Sequence, residues 1–195
     1  MIAICRCHCR PTRRTAPIAA LLLCLLAQCI PAAQAQELLS PRLQIGINLL
    51  PAVIAANKAV ISSDPNTVLT IYLVYTANRY LAEQLQTRLA KRGAIHERRL
   101  EIAAVRLDDL LTRNLSRTSS IFIVEPLDER LPGLIAFARQ RRALLFSPLQ
   151  GDVERGVNAG FQVTGQVLPL INMTSLKESN IQVKAFFLRI AVKHE

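Results

Sequence analysis

The sequence has no tryptophan and only three histidines in 195 residues, and its five cysteines all lie before position 30. The usual catalytic and nucleotide-binding signatures are also missing: there is no G-x-S-x-G nucleophile elbow, no Walker loop and no G-x-G-x-x-G turn. With 51% hydrophobic and 19% charged residues, the composition excludes disordered and collagen-like proteins. The chain therefore has the apolar residues for a folded core and little equipment for catalysis.

The start of the chain has the pattern of a secretory signal peptide. Four arginines precede an apolar run over residues 17–27, and the small residues Ala33 and Ala35 stand at positions −3 and −1 of a cleavage site before Gln36. The apolar run is shorter than the roughly 20 residues that span a bilayer, which favours a cleaved leader over a retained anchor. We therefore expect cleavage after Ala35, a periplasmic location and a single mature domain over residues 36–195.

Removal of this leader changes the charge and the cysteine content. The whole chain has 24 basic and 14 acidic residues, a net charge of +10, but four arginines and all five cysteines belong to the leader. The mature chain thus keeps 20 basic residues, a net charge of +6 and no cysteine. The cluster Cys5-Arg-Cys7-His8-Cys9 has the ligand types of a metal site, but it lies in the basic start of the leader. The remaining basic pairs have no interleaved aromatic residues, which argues against nucleic-acid binding.

Alternating strand and helix patterns predict an α/β fold in the mature chain. The apolar, β-branched runs predict strands at 68–75, 99–105, 120–124 and 143–146, and helical spacing predicts helices at 41–60, 78–93, 107–115 and 132–142. We expect a three-layer, mainly parallel sheet with helices on both faces. A C-terminal hairpin over 160–171 follows, in which Pro169 restricts the second strand to an edge or a bulge. A closing helix over 186–192 completes the predicted domain.

One loop is richer in glycine and polar residues than its fold requires. It runs over residues 146–161, after a predicted strand at whose carboxyl end open α/β sheets commonly bind ligands. Its glycines allow tight turns, and its polar side chains offer contacts to a partner or ligand; the candidates are Gly151, Asp152, Glu154, Arg155 and Asn158. The alternative is an ordinary loop with an internal charge balance between Glu154 and Arg155. Asn57 and Lys58, expected on the outer face of the first helix, are two further candidates.

The mature chain keeps only His96 and His194, and neither has a cysteine or a second histidine at metal-ligand spacing. An exported hydrolase would therefore have to use Ser147 or Asp152 without an obvious histidine partner. We predict a non-enzymatic protein with no metal and no cofactor.

The C-terminal part of the chain resembles the YfiR-like family of bacterial periplasmic proteins. The resemblance is carried by Leu145-Phe-Ser147, the glycine loop, Gly160-Phe-Gln-Val163, the stretch 167–172 and Phe187-Leu-Arg-Ile-Ala191. It implies a regulator that restrains an inner-membrane diguanylate cyclase by binding its periplasmic part, often while self-associating. Cysteine-based redox control, common in that family, does not carry over to a mature chain without cysteine.

Two functions remain open from the sequence. The first is a periplasmic regulatory protein that binds the periplasmic part of a membrane signalling protein, with contact to the membrane only through that partner and with a possible homo-oligomer. The second is a small-ligand-binding module that resembles one lobe of a periplasmic solute-binding protein. Such proteins normally close two lobes around a ligand, so this reading needs a dimer or a partner.

Overall fold

The structure is a computed structural model, and it describes residues 39–195. The predicted leader and its cleavage site at Ala35 lie outside the described residues. The residues from Leu39 to Glu195 form one compact unit, built around a mixed sheet.

The described part of the chain contains eight strands and seven α-helices. The strands are β1 Leu69–Tyr75, β2 Ala94–Ile95, β3 Arg98–Arg106, β4 Ser120–Ile123, β5 Leu144–Phe146, β6 Ala159–Val163, β7 Val167–Asn172 and β8 Val192–His194. The helices are α1 Pro41–Ala56, α2 Lys58–Ile61, α3 Arg79–Ala90, α4 Leu107–Leu111, α5 Leu131–Arg141, α6 Met173–Glu178 and α7 Ala185–Ile190, and a 3₁₀ turn Asp128–Arg130 precedes α5.

The strands form one sheet in the order β2-β3-β1-β4-β5-β6-β7-β8. Five neighbours, from β3 through β1, β4 and β5 to β6, run parallel. The hairpin partner β7 is antiparallel to β6, and the short β2 is antiparallel to β3. From β1 the chain moves first to β3 on one side and then to β4 on the other, so the topological switch point lies between β1 and β4.

Helices cover both faces of the sheet and bury one hydrophobic cluster on each. On one face, α1 and α3 pack over alternate strand residues such as Ile71 and Leu73. On the other face, α4 and α5 pack over the intervening residues, such as Val74 and Ile123. Because successive side chains of a strand point to opposite faces of the sheet, the central strands contribute residues to two hydrophobic cores. The predicted three-layer α/β fold is confirmed.

Local sequence signals account for the ends of the helices. Ser40 caps α1, and its hydroxyl accepts a hydrogen bond from Leu43 N at 3.3 Å, with Pro41 as the first helical residue. Asn78 and Asn172 cap α3 and α6 through side-chain oxygens that accept from the backbone N–H three residues on. Gly93, after α3, has a φ of +71°, as expected for a residue that ends a helix.

Three details of the sequence-based expectation are wrong. Asn57 does not lie on an outer helix face: the helix breaks after Ala56, and Asn57 turns inward with extended backbone, is 1% exposed and forms a bridge with Val183. The strand β7 is not at an edge, because β8 pairs with its residues Leu170–Asn172. Pro169 lies just before that segment, so its missing N–H is not needed for pairing with β8.

The third correction concerns the end of the chain. The apolar run predicted as a helix over 186–192 divides into α7, which ends at Ile190, and the strand β8, which adds to the free edge of β7. Helical spacing could not reveal this end, because the partner that offers the backbone hydrogen bonds is about 20 positions away.

Candidate ligand-binding site

The glycine loop between β5 and β6 is anchored by Ser147 and Asp152. The Ser147 hydroxyl donates a hydrogen bond to Asp152 Oδ2 at 2.6 Å and accepts one from Leu149 N at 3.1 Å. Asp152 is 6% exposed, and its other oxygen lies 3.6 Å from Arg155 Nη1. Both side chains therefore use their hydrogen-bonding capacity inside the loop and hold its first turn in place.

A second set of buried side chains ties the end of the loop to α6. Asn158 Oδ1 accepts from Leu145 N at 2.9 Å, and its amide nitrogen donates to the hydroxyls of Ser175 and Ser179 at 2.8 and 3.1 Å. Asn172 Nδ2 donates to Val153 O at 2.7 Å. Because these groups are buried and mutually bonded, loosening the loop would leave several polar groups without partners.

The glycines of the loop serve its geometry in two ways. Gly151 and Gly156 have φ values of +88° and +111°, which L side chains rarely adopt. At Gly160, a Cβ would lie 2.7 Å from both Ser147 O and a methyl carbon of Val153, so β6 approaches the loop more closely than any other residue would allow. The loop is thus a rigid structure fixed by its sequence.

Burial raises the pKa of Asp152 above its ordinary value, although the hydrogen bond from Ser147 and the charge of Arg155 act in the opposite direction. The nearby carboxylates of Glu154 and Asp128 add to the increase. The protonated form of Asp152 is therefore favoured in the folded protein relative to the unfolded chain.

A cavity of about 330 Å³ opens beside this loop. The strand β6 pairs with β5 only through Phe146 and Ala159, so the hairpin continues beyond the carboxyl end of β5. The loop, the hairpin and the first turn of α1 line the space. The lining residues are Arg42, Leu149, Gln150, Gly151, Val153, Glu154, Phe161, Gln162, Val163, Thr164 and Leu170.

Arg42 is the basic residue of this cavity, and two contacts fix its side chain. Its Nε donates a hydrogen bond to Pro148 O at 2.8 Å. Its guanidinium carbon lies 4.6 Å from the centre of the Phe161 ring, within cation–π range. Neither Arg42 nor Phe161 was among the residues expected from the sequence. The start Ser40-Pro41 does place Arg42 in a first helical turn, but its pairing with a residue 119 positions away has no local signal.

The seven candidate residues have different positions in the structure. Gly151 and Glu154 line the cavity, and Arg155 lies next to them, where its Nη2 donates to Asp128 O at 2.7 Å. Asp152 and Asn158 are buried and support the loop from inside. Asn57 and Lys58 lie elsewhere: Asn57 caps α2 with its side chain on Ala59 N, and Lys58 is exposed at the start of that helix.

The topological switch point holds a feature that the sequence did not reveal. Glu125 follows β4, and its Oε1 accepts hydrogen bonds from the Thr76 hydroxyl at 2.7 Å and from Ala77 N at 2.6 Å. The backbone N–H groups of Thr76 and Asn78 also donate to this carboxylate. Burial raises the pKa of Glu125, but these hydrogen bonds outweigh it, so the pKa lies below its ordinary value.

The carboxylate of Glu125 therefore occupies the place, before a helix N-terminus at the switch point, where open α/β sheets commonly bind an anionic ligand. The cavity beside Arg42 lies at a different position, between the loop after β5 and the β6–β7 hairpin.

Within residues 39–195, no group of three or more histidine, cysteine, aspartate and glutamate side chains is arranged to hold a metal ion. In the same range, no helix is both long and apolar enough to cross a bilayer.

Comparison with known proteins gives similarity in fold. No family model matches the chain, and no curated protein matches it in sequence. The structure is similar to that of a conserved domain protein from Vibrio cholerae, with a TM-score of 0.54 and 18% identity, over 80% of this chain and 60% of that one. An ABC domain from Streptococcus pneumonia, solved in complex with L-Trp, gives a TM-score of 0.48 and 13% identity over 78% of this chain and 60% of that one.

This chain thus covers less than two thirds of either protein. At 18% identity, the likeness to the Vibrio protein supports the α/β fold alone.

Proposed function

We propose that this protein is a non-enzymatic binding module that holds a small molecule in the cavity beside Arg42. The observation that carries the proposal is a concave space of about 330 Å³ whose lining combines apolar and polar side chains with a fixed guanidinium group. Its volume lies at the lower end of the range for small-molecule sites, which combine apolar surface with fixed polar groups that orient the ligand. The rigid loop supports the proposal, because a preorganised site loses little entropy when a ligand binds.

The contacts of Ser147 and Asp152 support binding in preference to hydrolysis. A serine nucleophile needs a base that can take its proton and a free path to a substrate. Ser147 is 1% exposed, and its hydroxyl donates to Asp152 and accepts from Leu149 N. These two residues are better explained as the anchor of the loop.

The proposal is tested by blocking the cavity. We expect a small molecule that raises the melting temperature of the wild-type protein to have little effect on Thr164→Trp, since Thr164 is exposed and lines the cavity. The matched control is Thr87→Trp, on the exposed side of α3, which should keep the wild-type shift.

Native mass spectrometry of the purified protein and a fluorimetric screen of metabolites identify the ligand. The proposal is contradicted if no compound co-purifies or raises the melting temperature, or if Thr164→Trp and wild type respond alike.

A second candidate function is regulation of a membrane diguanylate cyclase through its periplasmic part. It is favoured by the resemblance to the YfiR-like family and by an exposed apolar pair on α7. Phe186 and Ile190 lie four residues apart on this helix and are 64% and 47% exposed. Large exposed apolar side chains that share one helix face are typical of protein contacts.

Cellular cyclic di-GMP tests this second function. Deletion of the gene should raise its level, wild-type protein should restore it, and Phe186→Ser with Ile190→Ser should not. Tyr80→Ser, which removes an aromatic residue 62% exposed on α3, serves as the control and should restore the level. An unchanged level after deletion would argue against regulation of a cyclase.

A further inference from the structure

We propose that the ligand of the cavity is a small monocarboxylate with an apolar body, and that Arg42 binds its carboxylate group. This inference rests on the proposed binding function and names the chemical class that the same cavity selects. It follows from the orientation of Arg42, from the charge at the start of α1 and from the apolar surface of the cavity.

The protein contacts of Arg42 fix the orientation of its side chain but leave most of its N–H donors unused. A guanidinium group has five N–H donors, and the bond to Pro148 O uses only the one on Nε. In the part of the chain that the structure describes, no hydrogen bond or ion pair joins either Nη atom to a protein acceptor. Because the Phe161 ring also holds the group at 4.6 Å, its two Nη atoms form a preorganised fork of the kind that binds carboxylates with two parallel hydrogen bonds.

The charge at this end of α1 favours a nearby anion, and no described carboxylate forms an ion pair with Arg42. Arg42 lies in the first turn of a 16-residue helix, and that turn has no acidic residue. The helix N-terminus itself carries partial positive charge, so a cation there is unfavourable unless a negative group is close. Glu154 lines the same cavity but forms no ion pair with Arg42 within 4.0 Å. A ligand carboxylate would satisfy the helix end and the guanidinium together.

The rest of the cavity selects against small inorganic anions. Leu149, Val163 and small exposed parts of Val153, Leu170 and the Phe161 ring give it apolar surface, and Gln150, Gln162 and Thr164 add neutral polar groups. Phosphate would bury none of this apolar surface, and Glu154 would repel its greater negative charge more strongly than the single charge of a monocarboxylate. A carboxylate on a short hydrocarbon chain or a single ring would place its charge on Arg42 and its body on this apolar surface.

Matched acid and amide probes test the inference by isothermal titration. Hexanoate, benzoate and phenylacetate are compared with their primary amides and with inorganic phosphate. We expect the acids that bind to do so at least about tenfold more tightly than their amides, since hydrogen bonds to charged groups contribute about 1.5–3 kcal/mol. Arg42→Gln should lose this preference, and Arg42→Lys should keep part of it because the charge remains without the fork.

The control variant is Arg117→Gln, which removes an exposed arginine and should bind as the wild type does. A melting curve for each Arg42 variant confirms that the loss of the Pro148 contact has not unfolded the protein. The inference is overturned if amides or phosphate bind as tightly as the acids, if no acid binds, or if Arg42→Gln keeps the preference for acids. If neutral probes bind and Thr164→Trp abolishes their binding, the carboxylate assignment is contradicted while the binding function is supported.

Discussion

Two carboxylates in this protein have pKa values displaced in opposite directions, and their surroundings explain the difference. Asp152 is buried with one hydroxyl donor and one arginine at 3.6 Å. Glu125 is less buried, and it accepts from several backbone N–H groups and a hydroxyl. Desolvation dominates at Asp152, and hydrogen bonding dominates at Glu125. The two carboxylates therefore change the stability of the folded protein with pH in opposite directions.

Asp152→Asn tests the raised pKa. A raised folded-state pKa means that the folded protein binds the proton more tightly than the unfolded chain does, so wild-type stability gains as the pH falls through that value. The free energy of unfolding of the wild type minus that of Asp152→Asn should therefore increase from neutral pH downwards and level off below the ordinary aspartate pKa. Urea denaturation at a series of pH values measures it. A difference that is flat or decreases would contradict the assignment.

Glu125→Gln should show the reverse dependence. The lowered pKa gives a stabilisation that is complete above the ordinary glutamate pKa and is lost as the pH falls from there through the folded-state value. At neutral pH we expect the variant to lose about 1–3 kcal/mol, because its backbone donors lose a charged acceptor. The loss of stability relative to the wild type should become smaller at acid pH. Glu101→Gln, at an exposed position of β3, is the control; an equal loss in both variants would remove any special role for Glu125.

At the scale of elements, the helix α1 packs closely against the loop after β5, beside the cavity. A Cβ at Gly46 would lie 2.7 Å from Pro148 Cβ and 3.4 Å from the Phe122 and Phe146 rings. The helix can therefore lie against the sheet only because position 46 has no side chain. The same approach brings Arg42, one turn earlier, to Pro148 O.

Gly46→Ala should therefore destabilise the protein and weaken ligand binding together. We expect a loss of about 1–3 kcal/mol from overpacking, and a lower affinity because α1 moves Arg42 away from the loop. Gly133→Ala is a matched control within α5, where an added Cβ meets nothing within 4 Å. That variant should be stabilised by about 0.5–1 kcal/mol, as is usual for alanine in a helix. Thermal unfolding measures both, and equal effects would refute the packing argument.

At the scale of the whole molecule, the features that could be predicted from the sequence are those that depend on residues close together in the chain. The runs that became β1, β4 and β5 are apolar and short, β3 has an apolar centre between charged residues, and the caps at Asn78 and Asn172 act within three positions. Such signals are local, so the order of elements and the α/β class could be predicted. The resemblance to a regulatory family, export and the partner remain predictions.

The parts that could not be predicted depend on residues far apart in the chain. Asn57 is buried because the segment around Val183 reaches it, and β8 forms because the edge of β7 is free. Arg42 meets Phe161, and Glu125 meets Thr76, only once the sheet exists. The polar loop was recognised, but half of its polar residues turned out to support it from inside. Composition cannot distinguish a polar side chain that faces a ligand from one that holds a turn.

The position of Glu125 has a consequence for competition between ligands. The fold holds the Glu125 carboxylate against the β1–α3 turn. This group therefore competes with any anion from solution at an effective concentration on the order of millimolar or higher. A solute anion that binds the backbone donors of Thr76, Ala77 and Asn78 no more tightly than this carboxylate does would need to exceed that concentration to displace it. For such solutes, the occupant of the switch-point crevice is decided when the chain folds.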